Sequence, residues 1–376
     1  MFSDSQFLVF KLITVTNPNS INDARVKAHI SEVNMAPSAV NPEDNSSEIH
    51  IDPTVLGLRE TLTSETSALA TRFRALFSLK HLASQNPPSP QTVPAIDAIA
   101  AAFASPSALL KHELAYCLGQ TRNAAAIPHL RHVLQDRQQE PICRHEAAEA
   151  LGALGDQKSV ELLKQRRDDE TEEVVVRETC EIALDRIEWE HGSKRELENI
   201  KQSDFASIDP APPVAQQQHS SKPVIAELEH ALLDTKLPLF QRYRAMFALR
   251  DLASPPDLPT AVPAVHALAR GLHDPSALFR HEIAFVFGQL SHPASIPALV
   301  ECLSDQKEEG MVRHEAAEAL GSLGEEEGVE ETLKSFIDDP EQVVRESIVV
   351  ALDMAEYERN GEMEYATVSM GEPVAA

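Results

Sequence analysis

Residues 144–152 read Arg-His-Glu-Ala-Ala-Glu-Ala-Leu-Gly, and residues 313–321 repeat the same nine letters. A looser version precedes each copy, as Lys-His-Glu-Leu-Ala at 111–115 and Arg-His-Glu-Ile-Ala at 280–284. The four His-Glu pairs are therefore 33 residues apart within each half of the chain, and the two halves are offset by 169 residues. A period near 33 residues is typical of solenoids built from stacked helix pairs. These stretches predict an all-α fold.

Four helix-pair units can be aligned in each half of the chain, which predicts a HEAT-like solenoid of two four-repeat halves related by a pseudo-two-fold axis. In this alignment the outer units carry Phe73, Arg177, Tyr243 and Arg345 where the inner units carry histidine. An ordinary helical repeat commonly has an arginine or an apolar residue there, so the fold itself does not require histidine. The outer units are interpreted as caps and spacers, and the inner four as specialised.

The composition of each segment suggests its boundaries. We expect residues 1–51 to be a disordered arm, because they are polar and lack sustained apolar periodicity. Residues 52–190 and 223–358 are predicted to be the two repeat halves. The Pro-rich stretch at 191–222 is interpreted as a linker, and 359–376 as a polar tail.

Helix starts are marked by two similar tripeptides, Ser105-Pro106-Ser107 and Asp274-Pro275-Ser276. For the second, we expect Asp274 to be the N-cap and Pro275 the first helical residue, since both residue types are favoured at those positions.

The net charge of −26, from 33 basic and 59 acidic residues, argues against a nucleic-acid partner, because such a surface repels phosphate backbones. It favours a cationic protein or ligand, although solubility alone accounts for the charge about as well. The apolar run at 7–15 is interrupted by Lys11 and is too short to span a bilayer, so we expect neither a targeting sequence nor a membrane segment. The four cysteines show no CxxC spacing, which favours free thiols and a cytoplasmic location, with the nucleus also open.

The repeated position of the His-Glu pairs has a structural and a functional explanation. Glutamate is favoured in early helical turns by the macrodipole, and duplication copies any feature. On the functional side, stacked helices bring His112 near His145, and the second half supplies His281 and His314. Two histidines and one carboxylate with open positions suit non-haem iron, so four imidazoles and four carboxylates provide for two metal ions. The carboxylates are those adjacent to the histidines, Glu113, Glu146, Glu282 and Glu315.

A rival ligand set places glutamate four residues after histidine, as in His145/Glu149 and His314/Glu318. Only the adjacent pairs occur in all four inner units, because Tyr116 follows His112 at the longer spacing and Phe285 follows His281. Glu149 and Glu318 are therefore interpreted as groups that support the ligands, contact substrate or are simply solvated.

Over roughly residues 55 to 360 the sequence resembles the deoxyhypusine hydroxylases, through the two RHEAAEALG segments and their KHE and RHE partners. The resemblance implies that His112, His145, His281 and His314 are iron ligands. It implies that Glu113 and Glu282 complete the ligand shells, and that Glu146 and Glu315 bind or support the metals. It further implies a monooxygenase with two iron ions (Fe²⁺ at rest) and O₂ as co-substrate. The substrate it implies is a deoxyhypusine residue on a basic loop of translation initiation factor 5A.

Two other classes compete with this hypothesis. One is a helical-repeat scaffold that binds a basic protein, with the His-Glu pairs structural or holding zinc. The other is a bilin-lyase-like helical-repeat protein, which has no need for four paired metal ligands.

Overall fold

The chain is all-helical in the part that the structure describes. Residues 1–50 and 361–376, which include most of the predicted arm and tail, lie outside that part. The described residues form α-helices, short 3₁₀ helices and turns but no strand, as predicted. The computed structural model describes residues 51–193, 195, 198, 200, 205, 207–214 and 225–360.

The first half contains four helix pairs, and within each pair the first helix packs against the second. Short 3₁₀ helices at Ala101–Ala104, Ala124–Ala126 and Gln157–Ser159 shape the connections. The helices are α1 (Pro53–Thr63), α2 (Leu69–Ala83), α3 (Thr92–Ala100), α4 (Ala108–Gln120), α5 (Ile127–Gln135), α6 (Pro141–Ala153), α7 (Val160–Asp168) and α8 (Val174–His191).

The second half repeats the arrangement, with 3₁₀ helices at Arg270–His273 and Pro293–Ser295. Its last helix continues through Asn360 and so includes the first two residues of the predicted tail. The helices are α9 (Ile225–Leu233), α10 (Leu239–Ala253), α11 (Ala261–Ala269), α12 (Ala277–Leu290), α13 (Ile296–Ser304), α14 (Gly310–Gly321), α15 (Val329–Ser335) and α16 (Gln342–Asn360).

The second helices of the eight pairs form a closed inner ring. Within each half they contact one another in order, α2 to α8 and α10 to α16. The halves then meet twice, since α8 packs on α10 and α12, while α16 packs on α2 and α4. These two junctions are equivalent, which confirms two four-repeat halves with a pseudo-two-fold relation.

The hydrophobic cores of the two halves interlock at these junctions. Each half has its own buried cluster of Ala, Leu, Ile and Val side chains. Ile182 of α8 nevertheless belongs to the second-half cluster, and Val350 of α16 belongs to the first-half cluster. Because apolar burial is favourable at about 25 cal/mol per Å², these exchanged side chains help to hold the ring closed.

The register of the last repeat in each half differs by one residue from the sequence alignment. Arg177 donates from Nε to the carbonyl oxygen of Arg167, ten residues earlier, just as Arg313 donates to Leu303. It therefore corresponds to the arginine before histidine, not to the histidine. Arg345 likewise bonds the carbonyl of a residue six earlier, as Arg280 does. The residues at the histidine position of the last repeats are Glu178 and Glu346.

The start of α12 also differs from expectation. Ser276 is the N-cap, its Oγ accepting from the backbone N–H of Phe279 at 3.1 Å, and the helix begins at Ala277. Asp274 instead accepts from the N–H of Ser276 at 2.9 Å and forms a buried ion pair with Arg242. The carboxylate is diverted because a buried arginine offers it a stronger partner than a helix terminus does.

The described residues of the predicted linker pack against both halves. The N–H of Ile208 donates to Gln120 Oε1 of α4 at 3.0 Å, and Ser207 Oγ accepts from Gln289 Nε2 of α12 at 2.9 Å. Asp209 binds the fully buried Arg250 with both carboxylate oxygens, at 2.7 and 2.8 Å. This stretch is therefore part of the folded structure.

Candidate metal centre

The four histidines of the inner repeats meet at the middle of the ring. Within each half, the ring centroids of His112 and His145, and of His281 and His314, are 5.4 Å apart. Across the halves, His112 to His314 and His145 to His281 are both 5.3 Å. His112 and His281 are 5.8 Å apart. The equal distances show that the pseudo-two-fold axis passes through this cluster.

The carboxylates beside the histidines follow the same symmetry. Glu146 Oε2 lies 3.4 Å from His112 Nε2, and Glu315 Oε2 lies 3.4 Å from His281 Nε2. Each of these glutamates thus lies close to the histidine of the preceding repeat, and Glu315 Oε2 is also 3.9 Å from Nε2 of its sequence neighbour His314. All eight residues of the four His-Glu pairs are at most 5% exposed.

A cavity adjoins the imidazoles and encloses about 400 Å³, including the space that opens to solvent. Six carboxylates line it, together with two aromatic rings. Glu149 and Glu318, the glutamates at the longer spacing, both belong to this lining, and Glu318 accepts a hydrogen bond from Ser347 Oγ at 2.9 Å. The lining comprises His112, Glu113, Tyr116, Glu146, Glu149, His281, Glu282, Phe285, Glu315 and Glu318.

Unpartnered nitrogen and oxygen atoms make this cluster suitable for metal ions. Within the described part of the chain, both ring nitrogens of His112, His145 and His281 are buried without a hydrogen-bond partner, as is Nε2 of His314. One carboxylate oxygen each of Glu282 and Glu315 is in the same state. Buried polar atoms normally have partners, and imidazole with carboxylate is a donor set that suits iron and zinc.

Three donor groups have ligand atoms within 4.8 Å of one another. Two of them combine residues of one half, and the third takes histidines from both halves. The cluster is therefore not built as one separate metal site in each half, because one donor group joins histidines of both halves. The groups are His112/His145/Glu146, His314/Glu315/Glu318 and His112/His281/His314.

Burial raises the pKa of the carboxyl groups, a shift that a bound cation would reverse, and lowers the pKa of the imidazoles, which favours the neutral form that binds metal. It raises the pKa of Glu113 to about 7, with the charge of Glu318 adding to the effect, and the pKa of Glu146 to about 8. Burial, reinforced by the neighbouring imidazoles, lowers the pKa of His145 and His281 well below the ordinary histidine value. Desolvation disfavours each charged form, and a metal ion compensates carboxylate charge while binding neutral imidazole.

Comparing the repeats of the sequence with one another gave no role to the two aromatic residues that line the cavity. Tyr116 and Phe285 occupy equivalent positions, four residues after His112 and His281, and their ring centroids are 6.0 Å apart. Their four-residue spacing from a candidate ligand could have indicated this location, because residues four apart share a helix face.

Within the described residues, no helix combines the length and apolar character needed to cross a membrane.

Comparisons with known proteins agree with this architecture. A model of HEAT repeats matches residues 96–185 and 264–353. The deoxyhypusine hydroxylase of Phaeosphaeria nodorum is 71% identical over 325 residues, which cover 86% of this chain and 98% of that protein. The deoxyhypusine hydroxylase of Aspergillus clavatus is 68% identical over 334 residues, covering 89% of this chain and 98% of its own length.

Among solved structures, human deoxyhypusine hydroxylase in complex with glycerol is similar, with a TM-score of 0.70 and 46% sequence identity. The match covers 81% of this chain and 96% of the human chain. The likeness thus extends over both repeat halves and not over a single group of repeats.

Proposed function

Because the chain belongs to the deoxyhypusine hydroxylase family and is a hydroxylase by that relationship, we propose that it acts on translation initiation factor 5A. The reaction is the O₂-dependent hydroxylation of the aminobutyl arm of deoxyhypusine, which completes hypusine. The cofactor is a pair of iron ions, Fe²⁺ in the resting state. The observation that carries this proposal is the convergence of four buried imidazoles with unpartnered nitrogens beside a carboxylate-lined cavity.

The iron ligands are proposed to come from all four inner repeats. His112, His145, His281 and His314 hold the two ions, with Glu113 and Glu282 completing the ligand shells. Glu146 and Glu315 bind or orient these groups, since each carboxylate lies 3.4 Å from an imidazole nitrogen. Ligands from four helices of a closed ring are held rigidly, because the ring restrains each helix from both sides.

When bound, the iron pair supplies the reduction of O₂, with one oxygen atom entering the C–H bond and the other leaving as water. The balance requires two protons and two electrons from an external reductant. The surrounding side chains restrict water around the reacting carbon, since the eight paired His and Glu residues are almost fully buried.

The charge of the cavity favours a substrate with two amino groups. Two divalent cations balance four of the six lining carboxylates. The remaining two negative charges match the two amines of a deoxyhypusine arm, and buried charges require such compensation. The net charge of the whole chain, −26, favours attraction of a basic loop in the same way.

The helical-repeat scaffold and the bilin-lyase-like protein account less well for the site. Neither requires four buried imidazoles, each with at least one ring nitrogen that has no hydrogen-bond partner among the described residues, at the centre of the ring. A cytoplasmic location with a nuclear pool stays a prediction.

The proposal is tested with protein loaded anaerobically with Fe²⁺ and then given O₂, a reductant and the deoxyhypusine-containing factor. We expect about two irons per chain and a 16 Da mass gain on the factor, with the added oxygen derived from ¹⁸O₂. Zinc-loaded protein is the control and should bind metal without producing the gain. Folded, iron-loaded protein that leaves the factor unmodified would contradict the proposal.

A further inference from the structure

The two halves of the cavity differ at one pair of equivalent positions. α4 and α12 carry the same residues at the metal centre, His112 with Glu113 and His281 with Glu282. Four residues after the histidines, Tyr116 faces Phe285, with ring centroids 6.0 Å apart and planes at 67°. The difference is a single hydroxyl group on one side of the pseudo-two-fold axis.

The hydroxyl of Tyr116 has no hydrogen-bond partner among the residues that the structure describes, although the residue is only 7% exposed and lines the cavity. A buried hydroxyl without a partner is destabilising, because it loses its hydrogen bonds to water and gains none in return. Phe285 shows that a plain aromatic ring occupies the equivalent space without that cost. The hydroxyl is therefore not required for packing, which indicates a role in binding something inside the cavity.

The surroundings of Tyr116 determine what its hydroxyl can bind. Burial, followed by the charge of Glu113, raises its pKa well above the ordinary tyrosine value, so it stays protonated and can both donate and accept. Three carboxyl groups of the first half line the same cavity, and in the ionised form they can accept hydrogen bonds but cannot donate them. They belong to Glu113, Glu146 and Glu149. Lys80 Nζ lies 5.7 Å from the centroid of the Tyr116 ring, a cation–π contact that restrains the ring.

We infer that Tyr116 is a positioning residue for the amine-bearing substrate arm, which lies on the α4 side of the pseudo-two-fold axis. Its hydroxyl accepts a hydrogen bond from an N–H of the arm and donates one to a carboxylate of the cavity. Phe285 contributes only an apolar wall to the opposite side. This inference rests on the proposed function, since it assumes an arm with N–H donors in this cavity.

The test uses Tyr116→Phe, which removes the hydroxyl and retains the ring. We expect unchanged iron content and unchanged thermal stability. Under anaerobic conditions, the iron-loaded variant should bind the deoxyhypusine-containing factor about 10- to 100-fold more weakly, the effect of losing a hydrogen bond to a charged group. In air, kcat/KM should fall by a similar factor, mainly through KM. Binding of the factor with an unmodified lysine, which lacks the arm, should not change.

A matched double variant separates positioning from a general requirement for a hydroxyl. Tyr116→Phe combined with Phe285→Tyr moves the hydroxyl across the axis and keeps the composition of the cavity. We expect it to bind as weakly as Tyr116→Phe alone. Wild-type affinity in either variant would overturn the inference. Wild-type protein that neither binds nor hydroxylates the factor would instead contradict the proposed function.

Discussion

The inner and outer repeats place different residues at the same position of the same helix. In the inner repeats this position is histidine, with its ring nitrogens in the central cluster. In the last repeat of each half it is Glu178 or Glu346, which accepts a hydrogen bond from a serine of the other half, Ser276 or Ser107, at 2.7 Å. In both cases the serine is the N-cap of a histidine-bearing helix. One position therefore contributes to the candidate metal centre in the inner repeats and joins the two halves in the last repeat of each half.

A second position distinguishes the same two groups of helices. Seven residues after the histidine, all four histidine-bearing helices carry glycine, whereas α8 and α16 carry Asp185 and Asp353 at the corresponding place. A Cβ on Gly119 or Gly321 would come within 2.8 Å of an alanine Cβ on the next inner helix. Glycine is thus needed where a histidine-bearing helix packs closely on the next helix of the same half. It is not needed on the last helix of a half, which has no such successor.

Replacing an inner histidine should have the largest effect. We expect His145→Ala to lower bound iron sharply and to reduce kcat/KM by more than about 100-fold, since even residues that only support metal ligands cost 10- to 100-fold. Metal analysis and the mass-gain assay measure the two effects.

The matched control for His145→Ala is Glu178→Gln, at the same position one repeat later. The glutamine oxygen still accepts from Ser276, so iron content and turnover should stay close to wild type. Equal iron loss in both variants would remove the functional distinction between inner and outer repeats.

Replacing the arginine that precedes the histidine should lower the stability of the fold. Arg313 is 1% exposed and pairs with both carboxylate oxygens of Asp339, while its Nε donates to the carbonyl of Leu303. Arg313→Met leaves a buried, unpaired carboxylate, so we expect the free energy of unfolding to fall by about 3–5 kcal/mol.

Urea denaturation of Arg313→Met and Arg345→Met tests this difference between repeats. Arg345, in the last repeat, donates hydrogen bonds to the backbone carbonyl oxygens of Asp339 and Pro340, and among the described residues it forms no ion pair. Its replacement should cost about 1 kcal/mol. Equal losses would show that buried ion pairing does not distinguish the two arginines.

The glycine position should have the smallest effect of the three. Gly152→Ala places a Cβ 2.8 Å from the Cα of Ala183 on α8, so we expect a loss of about 1–3 kcal/mol from overpacking. At Gly310, the first residue of α14, the nearest atom to an added Cβ is 3.5 Å away. Gly310→Ala should be neutral or slightly stabilising, and thermal melts of the two variants measure the contrast. An unperturbed Gly152→Ala protein would show that the helices can separate without cost.

Much of the centre could be predicted from sequence because its repeats are nearly identical. Identical nonapeptides must fold alike, so the position of each His-Glu pair on its helix followed directly. The outer repeats have diverged, and the alignment placed Arg177 and Arg345 one residue too far along. Only the hydrogen bonds of the arginines to preceding carbonyls reveal the register. The prediction that Asp274 is the N-cap of α12 was wrong for a similar reason, since the ion pair of Asp274 with Arg242 cannot be seen in the local sequence.

The sequence by itself determined the class of fold, the number of repeats and the residues of the candidate metal centre, because these depend on local periodicity. The tertiary structure decided how the halves meet. Closure of the ring brings His112 as near to His314 as to His145 and sets Tyr116 opposite Phe285, while the stacking of successive repeats places Glu146 against His112. Such contacts join residues far apart in the chain, and their geometry depends on the packing of all eight inner helices together.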